Sequence, residues 1–144
     1  MGLNKGDIVD IELVDLANGG DSVGRYEDLV LFVPGGIPGE EVRVRIVEKK
    51  KNYARGELVE VLRPARERIK AACPVFGTCG GCQLQHIAYE KQVEYKGKMV
   101  KDLLERIGRL ENIELQPALP SPQAFFYRNK AQFPLARDRD GEII

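Results

Sequence analysis

The chain has 144 residues, 43% of them hydrophobic, with 22 basic and 22 acidic side chains. That length and composition suit one or two small domains with packed cores, and no apolar run approaches the roughly 18 residues of a membrane span. Behind Lys5 there is no apolar stretch of the kind a secretory signal needs, so a cytoplasmic protein is expected. Zero net charge argues against a chain coated in cations, but the charge is unevenly spread. Residues 1–40 carry 2 basic and 8 acidic side chains, residues 41–70 carry 10 and 5, and residues 71–144 carry 10 and 9. Positive charge is therefore concentrated mid-chain, where a local patch can face an anionic partner.

Asp7–Leu16 alternates, with Val9, Ile11 and Leu13 on one face and Asp10 and Glu12 on the other, the pattern of a half-buried strand. Asn18-Gly-Gly-Asp21 is turn chemistry, and a short strand is expected over Ser22–Tyr26. Glu27-Asp28 turns the chain into Leu29–Val33, a continuous apolar β run that Pro34-Gly-Gly-Ile-Pro-Gly39 breaks. Glu41–Glu48 alternates again, with Val42, Val44 and Ile46 inward and Arg43 and Arg45 outward. Gly56–Leu62 supplies the last strand. Five short strands separated by glycine turns, with no helix, predict a five-stranded all-β barrel of the oligonucleotide-binding (OB) kind over residues 1–64.

The link between the last two predicted strands reads Lys49-Lys50-Lys51-Asn52-Tyr53-Ala54-Arg55. Its cations suit backbone phosphates, and Tyr53 offers a flat face for an unpaired base. The plainer alternative is that Tyr53 packs on the barrel rim and the lysines are merely solvated.

Arg63–Arg68 reads as a linker. Beyond it stand the only cysteines of the chain, in Cys73-Pro-Val-Phe-Gly-Thr-Cys79-Gly-Gly-Cys82. Gly77, Gly80 and Gly81 let the backbone fold tightly enough for three sulfurs to converge. An odd number of cysteines in a reducing compartment points away from disulfides and towards a metal or iron–sulfur site that lacks one ligand. His86, the only histidine, completes a Cys3His set that would suit tetrahedral zinc. One helix follows: Val93, Gly97, Val100, Leu104 and Ile107 recur at helical spacing, with Met99 and Leu103 widening the stripe, and the face is expected to be core. Gly108 is placed to cap its C-terminus. Pro117–Pro122 reads as a second linker, Phe125–Leu135 as an aromatic-rich strand, and Arg137–Gly141 as a hairpin turn. The chain stops at Ile144 in the expected return strand, the mark of a fragment of a longer protein.

Taken in order, these motifs resemble the N-terminal part of the S-adenosylmethionine-dependent RNA (uracil-5-)-methyltransferases that carry a TRAM domain and an iron–sulfur cluster. Gly19–Arg25, Val33–Glu40 and Asn52–Glu57 resemble the TRAM motifs, Cys73–His86 the cluster signature, and Tyr127–Pro134 the opening of the central domain. The resemblance implies a TRAM barrel at 1–64, an iron–sulfur loop at 65–87, and a helix with the start of a central β domain at 88–144, a small α+β segment. It also implies that Cys73, Cys79 and Cys82 ligate a [4Fe–4S] cluster whose fourth cysteine lies beyond residue 144. RNA would be the partner, 23S rRNA first and tRNA second, held by Lys49, Lys50, Lys51, Asn52, Tyr53 and Arg55.

The methyl-donor site, the nucleophilic cysteine and the general base would also lie beyond this chain, so S-adenosylmethionine belongs to the full-length enzyme and the fragment alone would be inactive. Two positions depart from the family: Ser22 stands where glycine is usual, and Ala88 where a capping serine is usual. The competing class of function is a stand-alone RNA-binding module with a structural zinc or cluster.

Overall fold

The computed structural model describes residues 2–130, 132, 135–137 and 140–143. Its elements are β1 (Ile8–Leu16), β2 (Ser22–Tyr26), β3 (Leu29–Val33), β4 (Glu41–Lys49), β5 (Tyr53–Arg63) and α1 (Tyr89–Arg106). The five strands close into a barrel in the order β1-β2-β3-β5-β4, with β4 returning to β1. All pairings are antiparallel except β3 with β5, which run parallel from Val30↔Tyr53 to Phe32↔Arg55. The expected OB-like barrel is therefore present, with every strand in its expected place. Only the last differs appreciably: β5 begins at Tyr53, so the link after β4 shrinks to Lys50–Asn52.

Alternation explains the core. Ile11 and Leu13 from β1, Leu31 and Val33 from β3, and Val42, Val44 and Ile46 from β4 all point inward and are buried. Each such side chain contributes about 1.5–3 kcal/mol on burial. A second, smaller core sits at one end of the barrel, where Leu16 and Ile37 meet Ile87, with Leu84, Tyr95 and Met99 packed around them. This cluster joins the barrel to everything that follows it.

A buried ion pair reinforces the joint. Glu40, fully buried, accepts hydrogen bonds from the backbone N–H groups of Ile37 (2.9 Å) and Ala65 (3.2 Å). The Arg68 guanidinium grips both of its carboxylate oxygens, at 2.7 Å through Nη2, and also donates to the Gly35 carbonyl at 2.8 Å. A bidentate Arg–carboxylate pair with its remaining lone pairs filled is the arrangement in which burying charge is tolerable. The residues read as a linker are thus fastened to the barrel.

The helix forms where its apolar spacing places it, but its stripe is not core. None of its residues is buried; Val100 is 50% exposed, Leu103 38% and Ile107 75%. Tyr95 and Met99 make the contact with the second core, and Lys98 pins the helix to β1 through both oxygens of Asp15 at 2.9 Å. Gly97 faces Ala118 of the proline-rich segment, which also donates from the Ser121 N–H to the Tyr89 hydroxyl at 2.8 Å.

At the helix C-terminus the left-handed residue is Arg109 (φ 53°), not Gly108. Gly108 is needed there for a different reason: a Cβ would lie 2.5 Å from the Leu104 carbonyl oxygen. The strand expected over Phe125–Leu135 is absent among the described residues of that stretch; Ala131, Phe133 and Pro134 lie outside them. A single bridge, Arg137↔Ile143, closes the turn over Gly141, with Asp138 and Arg139 likewise outside the described residues. No helix of the described residues is long and apolar enough to cross a membrane.

Candidate nucleic-acid interface

The exterior of β2, β3 and β5 carries the side chains best suited to a nucleic acid. With Leu31 and Val33 inward, Val30 and Phe32 must point outward. The Phe32 ring meets Tyr53 on the neighbouring strand edge-on, with centroids 5.8 Å apart and planes at 80°. Arg25 on β2 and Arg55 on β5 are exposed beside them. Paired rings bordered by guanidinium groups can stack a base and hold its phosphate.

The residues expected to bind RNA do not form a single loop. Lys49 ends β4, Lys50, Lys51 and Asn52 make the hairpin, and Tyr53 and Arg55 sit on β5. Lys50 is bound to Glu48 at 2.9 Å and Arg55 to Asp21 at 3.2 Å, so part of the apparent positive charge is already satisfied. The Glu48 bond raises the pKa of Lys50 and lowers that of Glu48. Lys49 and Lys51 are exposed and form no salt bridge among the described residues. Phe32 was missed at the level of sequence because Leu29–Val33 read as one continuous apolar run, and Arg25 because it stands alone on β2, away from the lysine-rich link. The signal that finds Phe32 is register: alternation forces every second residue of that run outward.

The cysteine loop hangs from a well-made neck. Arg68 and Ile87 form an antiparallel bridge, flanked by Ile69 N–H to the His86 carbonyl and Ala88 N–H to the Glu67 carbonyl, both at 2.9 Å. The loop also touches the first turn of the barrel, where a Cβ on Gly20 (φ +94°) would come within 2.6 Å of the Gln83 side chain. Gly77 and Gly80 adopt positive φ as the glycine-rich spacing suggests, and Gly81 does not. Cys73 is half-buried, Cys79 and Cys82 are exposed, and none is in a disulfide. Among the described residues no three His, Cys, Asp or Glu side chains are gathered where they could hold a metal ion. In this arrangement the three thiols do not fit a cluster.

His86 belongs to the barrel rather than to the loop. It is buried, stacks obliquely with Phe76 at 5.3 Å, and its Nε2 lies 3.1 Å from the Gly36 carbonyl. A carbonyl only accepts, so Nε2 must carry the proton; Nδ1 is then a buried acceptor with no partner among the described residues. Burial pushes the His86 pKa below its ordinary 6.5, with the nearby Arg68 charge adding to the effect.

Residues 2–59 match the TRAM domain family. Nearly the whole chain aligns with larger proteins. An uncharacterized RNA methyltransferase of Halalkalibacterium halodurans is 39% identical over 142 residues, which are 99% of this chain and 31% of that protein. One from Synechocystis is 41% identical over 139 residues, 96% of this chain and 30% of that protein. Among solved structures, the Pyrococcus abyssi tRNA (uracil-54, C5)-methyltransferase in complex with S-adenosyl-L-homocysteine is 30% identical over 78% of this chain and 24% of its own, with a TM-score of 0.47. The chain spans about a third of the length of the curated relatives it matches. Residues 2–59 thus match the TRAM domain family, and the chain as a whole aligns with the N-terminal part of proteins named as RNA methyltransferases.

Proposed function

We propose that this chain is the RNA-binding, cluster-bearing N-terminal portion of an S-adenosylmethionine-dependent RNA uracil-5 methyltransferase, with 23S rRNA as the first candidate substrate and tRNA as the second. The observation that carries the reading is the near end-to-end alignment with RNA methyltransferases of a chain whose barrel presents aromatic rings and cations on one outer face. The ordered set of motifs, TRAM barrel then Cys73–His86 then Tyr127–Pro134, supports the uracil-5 class within those enzymes. Methylation itself belongs to the part of the protein beyond this chain, and the described residues contribute grip on RNA.

The cysteine loop is assigned to an iron–sulfur cluster by its C-x5-C-x2-C spacing and the chemistry of three thiols. Ligation requires the loop to rearrange so that Cys73, Cys79 and Cys82 converge. Gly77 and Gly80, the positive-φ glycines of the loop, have open space around them.

Anaerobic purification followed by iron, sulfide and zinc analysis tests the assignment. Iron and sulfide in equal amounts, with a broad visible band lost in a Cys79→Ser variant, is the expected result. One zinc per chain without colour would replace the cluster by a Cys73, Cys79, Cys82 and His86 site. The RNA reading is tested by titrating the chain with fluorescent single-stranded RNA at several salt concentrations; no binding at low salt would end it.

A further inference from the structure

A cleft of about 450 Å³ lies between the outer face of β2–β3 and the C-terminal half of α1. That size is in the range of pockets that hold small ligands, about 300–1,000 Å³. The barrel supplies Val23, Val30 and Phe32 as one wall, and the helix supplies Met99, Leu103 and Ile107 as the other. Two guanidinium groups, Arg25 and Arg106, border it. Neither forms a salt bridge among the described residues. The carboxylates at the margin, Asp15 and Asp102, are both bonded to the Lys98 ammonium, at 2.9 and 2.7 Å. The cleft is thus apolar within and carries two guanidinium groups at its border, of which Arg106 also lies within electrostatic reach of Asp15.

We propose that this cleft receives one unstacked base of single-stranded RNA, with Phe32 as the stacking surface and Arg25 and Arg106 on the adjoining phosphates. The proposal rests on the RNA-binding reading above and adds a subsite to it. Two arguments select RNA over a protein segment. The first is charge, since a sequence-tolerant base pocket needs an aromatic face flanked by cations. The second is continuity. In the parallel β3–β5 register, Val30 is paired with Tyr53 and Phe32 with Arg55, so the cleft wall runs without a gap into the Tyr53 ring and on to the Lys49–Lys51 hairpin. One wall comes from α1, outside the matched TRAM residues 2–59, so the site is composite and a TRAM barrel alone would have half of it.

The test uses the 144-residue chain, a labelled oligouridylate of about ten nucleotides, a length within the usual site range of such barrels, and a set of the same oligomer with one base removed at each position in turn. Phe32→Leu is expected to weaken binding about tenfold with the salt slope unchanged, as loss of one stacked base requires. One abasic position should weaken binding to the parent chain by a similar factor and have little further effect on the variant. Leu103→Gln, on an exposed helix face, should weaken binding about threefold at unchanged melting temperature, and it decides the matter if Phe32→Leu proves unstable. If the parent binds and Lys49→Ala/Lys51→Ala weakens it, but Leu103→Gln and every abasic oligomer behave as the parent pair does, the cleft is not a base site while the RNA reading stands. Absence of binding by the parent chain at low salt would overturn both.

Discussion

Glu40 and His86 show how much the joint behind the barrel rests on single residues. Glu40 is fully buried and answers Arg68 and two backbone N–H groups, so its neutral analogue leaves a partly buried guanidinium without its counter-charge. Glu40→Gln is expected to cost about 3 kcal/mol in urea denaturation, and pairing it with Arg68→Met should recover part of that loss. His86 gives stability a pH dependence of definite sign. Its pKa in the folded chain lies below the ordinary 6.5, so the unfolded chain binds the proton first. The contribution is fully present above about pH 6.5 and drains away as the pH falls below it. Denaturation midpoints measured between pH 8 and pH 5 should show this decline, and His86→Gln should flatten it.

At the scale of elements, the helix α1 is the least well-finished part. Its N-cap is Ala88, with φ −53° and ψ 139°, and no side chain bonds to the first turn. That backbone geometry already suits a capping residue, so Ala88→Ser should stabilise the chain by about 1 kcal/mol, measured as a shift in the helical circular-dichroism melt. The barrel strands were legible because alternation maps directly onto burial: Val42, Val44 and Ile46 could be placed inward from the sequence alone, and they are. The helix was legible in extent but not in burial. Periodicity identifies an apolar face without saying what lies against it, and here the contact falls on Met99, which the expected stripe included, and on Tyr95, which it did not.

Phe32 stayed hidden inside an uninterrupted apolar run, and the role of Glu40 could not be read at all, since its partner is 28 residues away. The aromatic stretch after Pro122 has strand-like composition but no pairing partner among the described residues, and composition alone does not make a ladder.

For the whole molecule, the net charge of zero conceals a division of labour. The acids of the barrel neutralise many of its own cations, as Asp10 and Glu60 do for Arg43 and Glu57 does for Arg45. Among the described barrel residues, Arg25, Lys49 and Lys51 are exposed, form no salt bridge and lie on or beside the proposed RNA face. Lys49→Ala and Lys51→Ala are each expected to lower the slope of log affinity against log salt by about 0.7, the value for one phosphate on a single strand. Arg43→Ala, held by its two acids, should leave that slope unchanged. Fluorescence anisotropy at four or five salt concentrations would separate the two behaviours.

The Glu40–Arg68 pair also settles where this barrel can be cut. By strand count the unit is finished at Arg63, and the family match stops at residue 59. By charge it is not finished until residue 68, and by packing not until Ile87 covers Leu16 and Ile37. A fragment ending at residue 64 would keep every strand and still strand a carboxylate in the interior with no cation to meet it, above an uncovered apolar patch. Severed there, the barrel should be the less stable and more aggregation-prone piece, while one ending at residue 88 should behave as an independent folding unit. The neck of the cysteine loop is in this sense the barrel's lid.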